Sequence, residues 1–555
     1  MLSRLLAALL LLLPTTVVAQ ERPVPGEPAV LIDNVNGVTV ESGRILHFTG
    51  LVIDKDGRVV ARLAKDARRP ARVAVVDGRG ATLLPGFMDA HVHVMGLGET
   101  LMQLDLSDTT SLADAQARIK DYAARQAGGG WILGRGWNQE KWGLGRFPTA
   151  ADLDSIAGEV PVYLERVDGH AGWANTAAMR AAGITAATKA PEGGRIERDA
   201  KGQPTGLFVD RATDLITAKA PAPVPVELNR AFRLAQEALI ARGITAVADM
   251  GTTAADWLTI RRAADAGELR IRIVSYAAGL PTALEVAGTG PTPWLYGDRL
   301  RMVGVKLYTD GALGSRGAWL KRPYADAPGQ TGLPFLSETE LRNQMSRAAM
   351  DRFQLAIHAI GDRANAQVLD AIEELVPTYS GDRRWRIEHA QVIDPADVTR
   401  FGPGIVVSVQ PTHQTSDRLM AEARLGPDRL AGAYAWSSLA SAGAHLALGS
   451  DTPVERPDVL AGLATAITRQ DADGQPPGGW LPQERLTRAQ AIDGFTNGAA
   501  YAAFADDRWG RLAPGQWADF VLLDTDPATA SAEAIRRATV RQVWIAGRPM
   551  GELKP

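Results

Sequence analysis

The sequence has no cysteine in 555 residues. That excludes disulfides, thiolate metal ligands, a cysteine nucleophile and lipid attachment through an N-terminal cysteine. A dominant charge is missing too. Lys plus Arg total 60 against 63 Asp plus Glu, a formal net charge of −3 without a basic tail, so nothing points to nucleic acid. The apolar run Leu5 to Leu13 falls short of the ~20 residues that span a bilayer. Arg4 precedes it and Val17-Val18-Ala19 stands before Gln20, so residues 1–19 read as a cleavable secretory signal rather than a membrane anchor. Export without disulfides suits a bacterial periplasm, with no membrane association expected after cleavage. What is present is ordinary: 46% hydrophobic and 22% charged residues, a globular balance in a chain long enough for more than one domain.

Both ends of the chain read as short strands and turns. Ala29–Asp33, Gly50–Ile53 and Val73–Val76 are strand-like, and Asp-Gly pairs at 56–57 and 77–78 signal hairpins. Asp519–Leu523 and Val540–Ile545 look alike, which predicts a small β-sandwich domain built from residues 28–82 and 506–550. Between them, buried-strand runs alternate with helical patterns. Eight strands are predicted: Leu83–Asp89, Ile244–Asp249, Ile271–Tyr276, Met302–Tyr308, Gln354–His358, Arg386–His389, Gly404–Val409 and His445–Gly449. Eight parallel strands, most followed by a helix, describe an α/β fold, the TIM (β/α)8 barrel, over residues 83–505. The gap after the first strand is far longer than one βα repeat, so residues 96–225 are expected to be an insertion at the face where barrel active sites lie.

The most informative stretch is Leu83-Leu84-Pro85-Gly86-Phe87-Met88-Asp89-Ala90-His91-Val92-His93. Residues i and i+2 of a strand share a face, so His91 and His93 aim at one point, as a chelating pair would. Lys306, His358 and His389 each sit at the C-terminal end of a predicted strand, and Asp451 follows Leu448-Gly449-Ser450. Barrel catalytic groups come from such positions. A lysine on an apolar strand needs a partner, either a metal site or a core salt bridge, with Asp310 the nearest choice. Together these six residues predict a divalent metal site. Nitrogen and oxygen ligands accept zinc, the foremost expectation, but also manganese, iron or cobalt.

Pro85-Gly86-Phe87-x-Asp89-x-His91-x-His93 and the order His-x-His, Lys, His, His, Asp resemble the amidohydrolase superfamily. Gly134-Arg135-Gly136-Trp137-Asn138, Arg166-Val167-Asp168-Gly169-His170, Lys306-Leu307-Tyr308-x-Asp310-Gly311-Ala312-x-Gly314-Ser315-Arg316, His358-Ala359-Ile360-Gly361-Asp362 and Gly449-Ser450-Asp451 are similar to amidohydrolase family 3, the branch containing N-substituted formamide deformylase. The resemblance implies hydrolysis of a non-peptide C–N bond in a small-molecule amide. It implies one or two metals per chain, with His91, His93 and Asp451 on the deeper one and His358 and His389 on the second. It also implies a carbamate on Lys306 as a bridge and Asp451 as general base, and it is compatible with a homodimer. A mononuclear deaminase on the same fold would carry a glutamate three residues past the strand-five histidine, where this chain has Gly361. An exported binding protein that had lost catalysis would be expected to have lost ligands, and all six positions are filled.

For substrate contacts, the insertion supplies Trp131, Trp137, Trp142 and Trp173 beside Asp168 and His170, unless the tryptophans form its own core. His413 follows strand seven. Ser315 and Arg316 follow strand four, where the guanidinium suits a carboxylate, a surface salt bridge being the plainer use of Arg316. His47 and His445 are placed away from the site.

Overall fold

The computed structural model describes residues 26–125 and 130–552; the signal sequence expected at 1–19 lies outside them. Eight parallel strands run side by side in chain order: Phe87–Val92, Ile244–Thr252, Arg272–Ala278, Leu300–Tyr308, Gln354–Ala359, Trp385–His389, Ile405–Val409 and His445–Leu448. Their side chains are almost wholly buried on both faces, as expected for a parallel sheet covered by helices. The helices start where the sequence provides caps. Ser337 and Glu340 form a reciprocal capping box, with Ser337 N–H donating to Glu340 Oε2 at 2.8 Å and Glu340 N–H to Ser337 Oγ at 3.2 Å. That closes two otherwise orphaned donors. Among the described residues no helix is long and apolar enough to cross a membrane.

Between the eighth and first strands the ladder dwindles to a bridge between Val92 and Thr452. The seam is completed by His93 N–H to Thr452 O at 2.8 Å and Asp451 N–H to His91 O at 2.7 Å. Below them Asp89 accepts from the Ser450 amide at 2.9 Å and hydroxyl at 2.6 Å.

The predicted first strand is two strands. Thr82–Pro85 pairs antiparallel with Phe520–Leu523 in a terminal sheet, and only Phe87–Val92 enters the barrel. The apolar run is continuous, but Pro85-Gly86 breaks it. A Cβ on Gly86 would lie 2.3 Å from Thr245 Oγ1, so only glycine can pass the second strand there.

The terminal sheet draws on both chain ends. Its path runs Arg548–Pro549, Val540–Ile545, Phe520–Leu523, Thr82–Pro85, Pro28–Glu41, Arg44–Asp54, Val59–Leu63, with Ala74–Asp77 also paired to Pro28–Glu41. Asp56-Gly57 turns a hairpin as predicted. Asp77-Gly78 does not, because Ala74–Asp77 and Thr82–Pro85 both run parallel to Pro28–Glu41. Leu104–Asp105, Ile132–Trp137, Val162–Arg166, Ala171–Ala174, Pro204–Asp210 and Gly194–Arg198 form a third, six-stranded sheet after the first barrel strand.

A buried ion pair locks the terminal sheet to the barrel floor. Arg272, at the start of the third barrel strand, donates to both Asp519 oxygens, with Nη2 to Oδ1 at 2.9 Å. The rings of Trp509 and Trp517 lie 5.1 and 4.9 Å from the guanidinium carbon. Arg272 is 0% exposed and Asp519 2%. Asp519→Ala strands that cation, at a cost of roughly 3–5 kcal/mol. A clear fall in the denaturant midpoint is expected, and an unchanged midpoint would show that the pair does not hold the two units together.

Candidate metal centre

His91 is the last residue but one of the first barrel strand and His93 follows that strand. Their Nε2 atoms lie 3.5 and 3.2 Å from the same oxygen, Asp451 Oδ1. Donors about 2.1 Å from a tetrahedral zinc stand roughly 3.4 Å apart, so these atoms fit one ion. Asp451 Oδ1 is also buried without a hydrogen-bond partner, as are His358 Nε2 and His413 Nε2. Buried polar atoms are nearly always satisfied, and a buried carboxylate oxygen left this way beside two imidazole nitrogens is what a cation would fill.

Neighbouring side chains hold the ligands in the binding tautomer. Glu388 Oε2 lies 2.7 Å from His91 Nδ1, and Arg386 braces the carboxylate with contacts of 2.8 and 3.1 Å. Gln410 Oε1 lies 2.9 Å from His389 Nδ1. Each bond fixes the proton on Nδ1 and frees Nε2. Burial, with the charge of Lys306, lowers His91 to about 4, and burial with neighbouring cationic groups holds His358 and His389 well below the usual histidine range. All three are neutral at pH 7. Burial works against charge on Asp451, yet the imidazoles of His91 and His93 beside it hold it well below the usual carboxylate range. The backbone is left-handed at His389 (φ 73°) and Asp451 (φ 58°), a conformation that costs non-glycine residues of order 1–3 kcal/mol and clusters at functional sites.

Lys306 is 1% exposed, with Nζ 3.2 Å from His91 Nε2 and 4.9 Å from the centre of the Tyr308 ring. Burial lowers it to about 8, which raises the neutral, nucleophilic fraction. The alternative salt bridge with Asp310 is not formed. Asp310 accepts instead from the amides of Ile360 at 3.0 Å, Gly361 at 2.8 Å and Trp319 at 2.8 Å. His358 has its Nε2 3.4 Å from Asp310 Oδ1 and its ring 4.6 Å from that of His389.

A cavity of about 840 Å³ opens above these residues, with His91, His93, Lys306, His358, His389 and Asp451 on its lining. Asp168 and His170 line it too. His170 Nδ1 bonds Asp210 Oδ1 at 2.7 Å, and Asp168 accepts from Arg166 and from the His170 amide. Burial alone would lower His170, but Asp210 raises it to about 9. Trp137, Ser315 and Arg316 lie elsewhere. Trp137 is buried in the insertion's core, its Nε1 donating to Leu164 O at 2.7 Å, and Trp142 and Trp173 pack around it. Ser315 is buried against Ala312 O, and Arg316 pairs with Asp326 at 2.8 Å. Neither is on the cavity lining. His413 is buried, Nε2 3.8 Å from Asp451 Oδ2.

The deaminase alternative lacks its glutamate for a steric reason. A Cβ on Gly361 would lie 2.0 Å from Trp319 O, so that position can carry no side chain. Asp362, one residue on, accepts the Lys321 amide at 2.7 Å.

Glu388, Arg386 and Gln410 were given no role from sequence, and Asp89 and Ser450 were quoted in motifs without their pairing being read. The signal existed for two of them: Arg386 and Glu388 are charged residues two apart on an apolar strand, the anomaly that marked Lys306.

This barrel, with its histidine and aspartate cluster, is that of a metal-dependent hydrolase of the amidohydrolase superfamily. The sequence profile of amidohydrolase family 3 matches residues 74–550, and the chain belongs to that family. It is 34% identical over 540 residues to protein LONG AFTER FAR-RED 3 of Arabidopsis thaliana, covering 93% of this chain and 90% of the relative. It is 27% identical to N-substituted formamide deformylase of Arthrobacter pascens, covering 92% and 94%. An uncharacterized metal-dependent hydrolase of Pyrococcus horikoshii superposes with a TM-score of 0.73 at 27% identity, covering 91% of this chain and 99% of that one.

The Glu388 bond to His91 yields a direct test. Glu388→Gln keeps the shape and removes the charge that orients the imidazole, so metal affinity is expected to fall about 10–100-fold. Competition with a chromophoric chelator measures it; wild-type affinity in a folded variant would show that Glu388 does not set the ligand.

Proposed function

We propose that this protein hydrolyses the C–N bond of a linear or N-acyl amide. Formamides and N-acyl amino acids are the first substrates to try. The observation that carries the reading is the convergence of His91 and His93 Nε2 on Asp451 Oδ1, at 3.5 and 3.2 Å, on the lining of the 840 Å³ cavity. His91, His93 and Asp451 would hold a divalent ion, zinc foremost. When bound, such an ion polarises a carbonyl and lowers the pKa of water.

The chain's own groups supply the rest. Asp451, ionised at neutral pH, takes a proton from the attacking water and passes one to the leaving amine. His170, held protonated by Asp210, faces the same cavity and offers an N–H to a substrate carbonyl or carboxylate. The insertion that carries it contributes Asp168 and His170 to the cavity lining. Lys306, with no carboxylate partner and a depressed pKa, is placed to react as a neutral amine with carbon dioxide. The carbamate so formed would turn an awkward cation beside the ligands into an anion.

Two variants test this reading. Asp451→Asn should lower kcat at least about 10³-fold while circular dichroism stays native; retained turnover of a panel of N-acyl and N-formyl amides would mean another group moves the proton. Lys306→Ala should lower the metal content found by plasma mass spectrometry, with short carboxylic acids restoring part of it. Metal content equal to wild type would show that Lys306 takes no part in binding.

A further inference from the structure

The interior of a (β/α)8 barrel is ordinarily filled with branched apolar side chains. Beneath the ligands this one carries a column of polar side chains instead, reaching from His91 toward the barrel floor. We propose that Tyr276, in the third barrel strand, is a positioning residue for His91, acting through Arg386 and Glu388.

Every link of the column is closed and has a direction. Gln354, at the start of the fifth strand, donates from Nε2 to Arg384 O at 2.8 Å and to Ala502 O at 2.9 Å. Both amide protons are thereby engaged, which leaves Oε1 to face the Tyr276 hydroxyl, 2.6 Å away. Tyr276 gives it the one proton a phenol has, and its lone pair accepts from Arg386 Nη1 at 3.0 Å. The other N–H groups of Arg386 meet Ala502 O, Ala90 O and both oxygens of Glu388. All five guanidinium donors are then engaged, which fixes its plane. Glu388 in turn meets His91 Nδ1 at 2.7 Å. The tautomer that frees His91 Nε2 therefore depends on a hydrogen-bond direction set at Gln354 and relayed by Tyr276.

Tyr276, Arg386 and Glu388 are 0% exposed and Gln354 3%. At that burial bulk water cannot replace a lost partner, so a defect low in the column is passed upward. The fourth strand leaves room for the arrangement. Gly304 lies between Tyr276 and Gln354 in the ladder, and a Cβ there would stand 2.7 Å from the Tyr276 ring and 2.4 Å from Gln354 O. The same bonds could serve only to stabilise the barrel floor, and the two roles differ in what they do to His91.

The inference rests on the metal site of the hydrolase reading, but its first readout needs no metal. Nuclear magnetic resonance of ¹⁵N-histidine-labelled, metal-stripped full-length protein reports the His91 tautomer, and chelator competition measures Zn²⁺ affinity. Wild type should carry the His91 proton on Nδ1. Tyr276→Phe, which keeps the ring and removes the hydroxyl, should show a mixture of tautomers. Its Zn²⁺ affinity should fall roughly three- to tenfold, less than for Glu388→Gln. In a Glu388→Gln background the same substitution should change affinity little, because its route is cut. Gln354→Met removes the acceptor that directs the Tyr276 proton; it should act in the same direction, and it decides the matter if Tyr276→Phe does not fold. Asp519→Ala, destabilising but outside the column, should leave tautomer and affinity at wild-type values. Wild-type tautomer and affinity in folded Tyr276→Phe would overturn the inference, as would an undiminished effect in the Glu388→Gln background. A wild type that binds no Zn²⁺ overturns the hydrolase reading, while the tautomer comparison still decides the role of Tyr276.

Discussion

Two backbone hydrogen bonds close the barrel, and one of them sets the site: the Asp451 amide donates to the His91 carbonyl at 2.7 Å. A parallel barrel needs its last strand to meet its first, and here the ladder has nearly run out where they do. Joining the chain through these two residues places the carboxylate of the eighth strand opposite the imidazoles of the first. The left-handed backbone at Asp451 is the local strain of that junction. Asp89 and Ser450 support it from beneath, in a pocket where burial lifts the Asp89 carboxyl to about 7. The site is therefore assembled by the same contacts that complete the fold.

Electrostatics follow from that burial. Several imidazoles in one dry space cannot all be protonated, and desolvation makes them neutral. The neutral form is the one that binds metal. Fixed partners then decide which nitrogen faces inward: Glu388 for His91, Gln410 for His389. Arg386 matters at one remove, since it keeps Glu388 ionised against its own burial.

Much of this was legible in the sequence, because parallel strands are continuous apolar runs and a polar residue within one stands out. All eight barrel strands were placed, as were His91, His93, Lys306 and Asp451, which the structure brings together. Misreadings occurred where tertiary geometry overrules local pattern. Leu83 to Asp89 looked like one strand because the run is apolar throughout, while the break at Gly86 depends on Thr245, far along the chain. Asp77-Gly78 looked like a hairpin, but the register of Pro28–Glu41 decides otherwise. For Trp137 and Arg316 residue type left two uses open, and the structure shows the plainer one in each case: Trp137 packs a core and Arg316 meets Asp326. The partnership of His91 with Glu388 spans 297 residues, a distance that no local pattern reports.

The central claim is that His91, His93 and Asp451 hold the ion on which hydrolysis depends. Anomalous diffraction at the zinc edge, from crystals grown with Zn²⁺, tests it most directly. The account predicts a strong peak within about 2.2 Å of His91 Nε2, His93 Nε2 and an Asp451 oxygen. A map with no peak among these three residues would contradict it.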